Sequence, residues 1–360
     1  MIDTIDIVYY FKDIDNYNHC YAVIDKIAKQ ISDNNKGLYP QKDKSDKIIK
    51  NHYVTYAFAF CGFCEIKFIK QSQYKRYTMK IRLKPIRLMY INSNVRLSNS
   101  SDYCEIEENF NILISNINQI AKSSLLPFFA NWNVRRIDYA VDLWTPYVNE
   151  YIKIFNRGMI PKNFKQHEKY ETSLYLTSSE CNINFYNKLS DLKSKYDFQE
   201  VQKEYMQLGQ IPTGVMRLEI QCKKKKILRL KEKYNLPDTT VKSLWNADIA
   251  RDLLQHYIIS VIGKGHIVHL QDSLSFLENY CKMRTVSLCR ELMQLIIKFS
   301  KYNLSEIKRG LKTDYMRSNF KRLKHTIEKF GINIITLEAI EVDTERIDYL
   351  QNPWTAINFL

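Results

Sequence analysis

Three short stretches of this chain alternate apolar residues with residues that can do chemistry. In residues 181–188 (CNINFYNK), Ile183 and Phe185 alternate with Asn182, Asn184, Tyr186 and Lys188. In residues 134–143 (VRRIDYAVDL), Ile137, Tyr139, Val141 and Leu143 alternate with Arg136, Asp138, Ala140 and Asp142. In residues 215–222 (VMRLEIQC), Met216, Leu218, Ile220 and Cys222 alternate with Arg217, Glu219 and Gln221. Strand side chains point alternately to two faces, so each stretch reads as a strand with one apolar and one polar face. If the three share one sheet and one polar face, that face gathers carboxylates, a tyrosine, a lysine and arginines. Such a set suits chemistry on a phosphate.

The remaining pattern supplies the elements that would hold these strands. Residues 5–11, 54–69 and 77–90 read as further strands, the last interrupted by Pro85. Residues 18–31 and 105–121 repeat apolar positions at helical spacing. Thr145-Pro146 can start a helix that Gly158 ends. Residues 173–176 and 181–188 form an expected hairpin, followed by a charged helix over 189–206 and a loop over 212–214. After Asn235-Leu236-Pro237 the texture turns helical, over 238–262 with Asp238 as cap, then 273–280, 286–299 and 317–330. The expected architecture is α+β. A central antiparallel sheet flanked by helices occupies residues 1–236, and a mainly helical part occupies 237–360.

The 360 residues carry 54 Lys or Arg against 39 Asp or Glu, a net charge of +15. A chain this basic most often meets a polyanion. The charge is clustered: residues 67–96 hold nine basic residues and no acid, 217–233 eight against two, and 301–329 nine against three. Such clusters suit a phosphate backbone, and some of the 25 tyrosines can stack on unpaired bases. No run of about 18 apolar residues is present and the first residues lack a basic leader, which points to the cytoplasm. Of the eight cysteines only Cys61 and Cys64 are closely spaced, with no second pair to complete a zinc site, so reduced thiols are expected and a disulfide scaffold is not.

Three pieces in this order resemble the replication initiation endonucleases of the filamentous-phage gene II type, and more loosely the rolling-circle plasmid initiators. They are Arg136-Ile137-Asp138, Tyr186-Asn187-Lys188 and Arg217-Leu218-Glu219, the last followed by a basic run and Asn235-Leu236-Pro237. The Met-Ile-Asp beginning, residues 320–331 and Glu341-Val342-Asp343 are similar too. The resemblance implies a site-specific nickase with Tyr186 as nucleophile, Asp138 and Glu219 as metal ligands, and Asp142 as a further acid of the plasmid type. The histidine-hydrophobe-histidine metal motif of the wider superfamily is missing, and His266-Ile267-Val268-His269 has the wrong spacing in a helical context. Oxygen ligands suit Mg²⁺ or Mn²⁺.

On this reading Tyr186 attacks one phosphodiester of origin DNA, single-stranded or supercoiled duplex, and leaves a 5′-phosphotyrosyl link and a free 3′-OH. A host polymerase, with a host helicase, would extend that end. Lys188 would favour the phenolate and contact the phosphate. Tyr175 is a candidate for a second nucleophile. Lys80, Arg82, Arg136, Arg217, Lys223, Lys224, Lys321 and Arg322 would contact the DNA, the last two on a helix able to lie in a major groove. Two competing readings are a non-catalytic DNA-binding initiator or repressor, and an RNA-binding protein using an aromatic sheet face.

Overall fold

The computed structural model describes the chain except for residues 33–35, 167–169, 210–212, 282–285, 303, 330, 332, 334, 337–348 and 357–360. Glu341, Val342 and Asp343 therefore lie outside the described residues. Among the described residues, ten strands make up the main sheet: β1 (Ile2–Phe11), β2 (Tyr39–Lys42), β3 (Ile48–Thr55), β4 (Phe63–Gln71), β5 (Arg76–Leu83), β6 (Asn133–Trp144), β7 (Lys165–Gln166), β8 (Ser173–Thr177), β9 (Cys181–Asn187) and β10 (Val215–Lys223). They form one antiparallel sheet in the order β2-β3-β4-β5-β1-β6-β10-β9-β8-β7. The fold is α+β with a helical C-terminal part.

Two expected strands differ in detail. The strand expected over 54–69 is two, the end of β3 and most of β4, joined through residues 56–62, where Gly62 sits at φ 94°, a conformation in which a side chain is disfavoured. The strand over 77–90 stops at Leu83, and Pro85 opens a short 3₁₀ turn instead.

Helices cover the apolar face: α1 (Ile14–Ile31), α2 (Tyr103–Ala121) and α3 (Val148–Arg157). Tyr17 of α1 packs on Phe11 and Phe68, Phe110 of α2 on Phe63, and Phe155 of α3 on Phe185. The polar face is covered only near one end, by α4 (Lys188–Lys193) and α5 (Phe198–Gln207), over a second small core of Val95, Leu192, Val201, Tyr205 and Val215. The single helix expected over 189–206 is thus two, and Lys188 opens α4 instead of ending the strand.

Next come α6 (Lys224–Lys233), α7 (Val241–Leu244) and α8 (Ala247–Ile262). The expected helix over 238–262 breaks in two. Asn246 caps α8 by accepting from the backbone N–H of Asp248 and Ile249, while Asp238 accepts from Thr240 and Ser243. The boundary drawn at residue 237 does not separate two cores. The Leu244 carbonyl accepts from the buried Tyr139 hydroxyl at 2.7 Å, and Val241 to Ile262 pack into the main core under the sheet. α9 (Leu270–Cys281), α10 (Val286–Lys301), α11 (Leu304–Gly310) and α12 (Asp314–Lys329) follow. His266 and His269 flank a two-residue strand, Ile267–Val268, and not a helical turn. Among the described residues, no helix is long and apolar enough to cross a membrane. Six described cysteines are free, Cys61 and Cys64 among them, and Cys289 is disulfide-bonded.

The β6–β10 pairing on which the site rests depends on Gly214. Its carbonyl accepts from Thr145 N at 3.1 Å, and a Cβ there would lie 2.3 Å from the Thr145 carbonyl oxygen. Gly214→Ala is expected to cost about 1–3 kcal/mol through overpacking, read as a lower urea midpoint. An unchanged midpoint would show that the approach of the two strands is slack.

Candidate active site on the polar face

The three chemistry-bearing strands are neighbours, β6-β10-β9, and their register sets the site out in rows. Tyr186, Arg217 and Asp142 lie directly opposite one another in one row. Asn184, Glu219 and Ala140 form the next, and Asn182, Gln221 and Asp138 the third. Tyr186, Glu219 and Asp138 therefore share one face on adjacent strands, within the reach of diagonal cross-strand neighbours. Tyr175 of β8 stands opposite Asn184 on the same face.

The half-buried Tyr186 donates its hydroxyl to Glu219 Oε2 at 3.3 Å. Gln221 Nε2 and Asn184 Nδ2 donate to Glu219 Oε1 at 2.6 and 3.4 Å. Two amides therefore hold the carboxylate in place for the phenol. Burial pushes the Tyr186 phenol well above its ordinary value, and the Glu219 charge adds to this. Burial also raises Glu219, with the charge of Asp3 next in weight. A carboxylate made more basic in this way is a better proton acceptor for a phenol that resists ionising alone. Asp138, 1% exposed, accepts from Arg136 Nε at 2.8 Å and from Arg136 Nη2. Burial nevertheless drives Asp138 well above the carboxylate range, and Glu219 repels its charge.

Two sequence assignments are corrected here. Arg217 is 0% exposed and contacts no surface. It donates Nε and Nη2 to Asp142, both at 2.7 Å, Nη1 to Asp3 at 2.6 Å, and Nη2 also to the Val95 carbonyl at 2.9 Å. It is an internal ion-pair hub, unavailable to a DNA backbone. Asp142 correspondingly has both oxygens held by Arg217 and is not free to ligate a metal. Asp3 was missed in the sequence because the alternation of β1 hides it. The β1–β6 register skips from Ile2 opposite Tyr139 to Thr4 opposite Asp138, so Asp3 is the extra residue of a bulge. A second slip, between Asp6 and Ile7, makes Arg135 the extra residue on β6, and its guanidinium reaches the Tyr10 hydroxyl.

Lys188 is 6% exposed, and its ammonium lies 6.0 Å from the Tyr186 ring centroid. Its nearest acidic oxygen, on Asp191, is 3.7 Å away, beyond hydrogen-bonding distance. Burial lowers its pKa, and the nearby Arg217 charge lowers it further. Lys84 shares this cluster and donates to the Asn94 carbonyl at 3.2 Å. Burial pushes Lys84 down to about 8. Between about pH 8 and about pH 10 the unfolded chain keeps a proton at Lys84 that the folded chain has lost, so stability rises with pH across that window. Urea midpoints of the wild type should therefore gain on those of Lys84→Met from pH 8 to pH 10, and a constant difference would contradict the assignment.

The other expected DNA contacts lie on three separate parts of the chain, the β5 strand, the β10–α6 junction and α12. Lys80 and Arg82 both bind Asp6, at 2.7 and 3.1 Å, on the open half of the polar face, where Lys67 and Glu65 continue the row. Lys223 donates to the Ser178 carbonyl at 2.7 Å, and Lys224 is exposed at the start of α6. Lys321 and Arg322 are exposed on α12, where Arg322 meets Glu291 at 3.3 Å.

The donors near Asp138 and Glu219 suit Mg²⁺ or Mn²⁺ in kind. Both are hard carboxylates, and Asn182 Oδ1, in the same row as Asp138, is buried without a hydrogen-bond partner. Arg136 occupies both oxygens of Asp138, so a cation would have to displace it. Among the described residues, no group of three or more His, Cys, Asp or Glu side chains converges as a metal cage. Compared with known proteins, the chain matches no protein family and no curated protein.

Proposed function

We propose that this chain is a rolling-circle replication initiator that nicks one DNA strand through Tyr186. The observation that carries the reading is the Tyr186 hydroxyl donating to a buried, amide-anchored Glu219 on a sheet face bordered by cations. Tyr186 Oη bonds to phosphorus as its proton passes to Glu219. The bond from phosphorus to the 3′ oxygen breaks, and that oxygen takes up a proton to become the free 3′-OH. The 5′ end stays on the tyrosine as a phosphodiester. Lys188, a buried ammonium beside the phenol and 3.7 Å from its nearest Asp191 oxygen, offsets the charge of the phosphate. Asn184 and Gln221 keep Glu219 aimed at the phenol. Asp138 and Glu219 would hold a divalent cation, which when bound polarises the phosphoryl oxygens.

The strand would run over the open half of the polar face, where Lys67, Lys80, Arg82 and Arg136 line up and Tyr10 lies between the guanidinium groups of Arg76 and Arg135. The test is incubation with end-labelled single-stranded DNA carrying origin sequence and Mn²⁺, followed by denaturing electrophoresis. The expected product is a covalent protein–DNA band. A native mobility shift without that band would support the non-catalytic DNA-binding alternative instead.

A further inference from the structure

A groove of about 700 Å³ lies between residues 87–96 and α5, away from the Tyr186–Glu219 pair. Phe60, Tyr90, Ile91 and Tyr196 line it and are all exposed, and apolar side chains gathered in one groove with polar neighbours mark binding surfaces where single exposed ones do not. The Arg96 guanidinium lies 4.0 Å above the Tyr90 ring, and Tyr90 keeps 42% of its surface open. The Glu200 and Glu204 side chains line the groove together with Arg96. The walls, by contrast, are fixed. Arg87 donates to the Ser93 and Ala59 carbonyls at 3.0 and 3.2 Å, and Glu204 accepts from Asn94 N at 3.1 Å and from the Ser93 hydroxyl. Glu204 is therefore held by Ser93 and Asn94, and Arg96, Lys203 and Glu200 are the other charged residues that line the groove with Arg87.

The groove also borders the Arg217 ion pairs. A second cavity of about 330 Å³ shares Tyr90 and Arg96 and extends to Asp142, the partner of Arg217. The Val95 carbonyl, one residue before Arg96, accepts from Arg217, which stands opposite Tyr186 in the sheet. The loop that carries the Tyr90–Arg96 pair is thus tied through the Val95 carbonyl and Arg217 to the strand beside Tyr186.

We propose that this groove seats one unpaired nucleotide of the DNA strand, its base stacked on the Tyr90–Arg96 pair and a neighbouring phosphate on Lys203. An open tyrosine ring supplies stacking, and the cations supply the phosphate contact, the combination that single-strand binding uses. The groove would set which flanking nucleotide the protein prefers. This rests on the nickase reading for the identity of the polymer as DNA.

The test separates the two. Full-length protein carrying Tyr186→Phe, so that no cleavage intervenes, is titrated with a fluorescein-labelled single-stranded DNA 20-mer bearing 2-aminopurine at successive positions. Tyr90→Ala and Arg96→Ala are each expected to weaken binding about 10-fold and to restore 2-aminopurine fluorescence at one position. Tyr90→Phe should bind as tightly as its parent. An abasic nucleotide at that position should reproduce the loss, with no further loss from Tyr90→Ala. Affinities within twofold of the parent for both alanine variants, at unchanged melting temperature, would overturn the proposal. So would tighter binding of the matching RNA, or no binding of the oligonucleotide. If wild-type protein forms no covalent adduct while binding still depends on Tyr90, the groove stands and the nickase reading falls. If the adduct forms and the Tyr90→Ala variant nicks every flanking sequence as the wild type does, the groove falls alone.

Discussion

Tyr186→Phe is expected to abolish the covalent protein–DNA product altogether, because a phenyl ring has no oxygen to bond to phosphorus. The fold should survive. The ring stays, and Glu219 keeps Gln221 and Asn184 as donors, so losing one hydrogen bond should cost about 1 kcal/mol. Circular dichroism and a melting curve check that second half. Tyr175 provides the control. It lies one row away on the same face, and burial raises its pKa, with Asp191 and Glu219 adding to this, yet among the described residues no carboxylate accepts its proton, so Tyr175→Phe should leave the first adduct intact. Glu219→Gln should keep the phenol in place and slow adduct formation at least about 10²-fold by removing the proton acceptor. An adduct persisting in Tyr186→Phe would assign the chemistry to another residue and end the proposed mechanism.

Arg217→Met should be the most destabilising single change in the sheet. The guanidinium is the shared partner of two acids, Asp142 and Asp3, and none of its surface reaches solvent. Removing one side of a buried ion pair costs about 3–5 kcal/mol, because the remaining charge is left without its partner. The pH dependence is a second signature. In the wild type burial works to raise the Asp3 pKa, but Arg217 and then Lys84 and Lys188 hold it below the usual carboxylate range. A depressed acid stabilises the fold above its unfolded pKa of about 4 and loses that contribution as the pH falls through the folded value. In Arg217→Met the stranded acids would take up protons more readily. The stability gap between variant and wild type should therefore narrow as the pH is lowered from 7 toward 4. Equal urea midpoints at pH 7 would mean that the hub is dispensable.

Arg217 also shows how far a one-dimensional pattern reaches. The period-two alternation placed Arg136, Asp138, Tyr186, Arg217 and Glu219 on polar faces correctly, since that periodicity is a local property of an extended backbone. The same pattern could not distinguish Arg217, sealed against Asp3 and Asp142, from Arg136, which stays partly open beside Asp138. That difference comes from α4 and α5 folding back over one end of the face and from an aspartate 214 residues away in sequence.

By itself, the sequence determined the three chemistry-bearing strands, their sidedness and most of the residue types that meet on the polar face, because these follow from neighbours two positions apart. Only the tertiary structure decided which strands lie side by side, that the Tyr186 phenol reaches Glu219, and that Asp142 belongs to Arg217. It also decided that Asp3 joins the cluster, since a bulge slips the register by one residue and the alternation no longer predicts the face. Strand order and bulges are set by long-range packing of the ten strands against helices, and no local period records them.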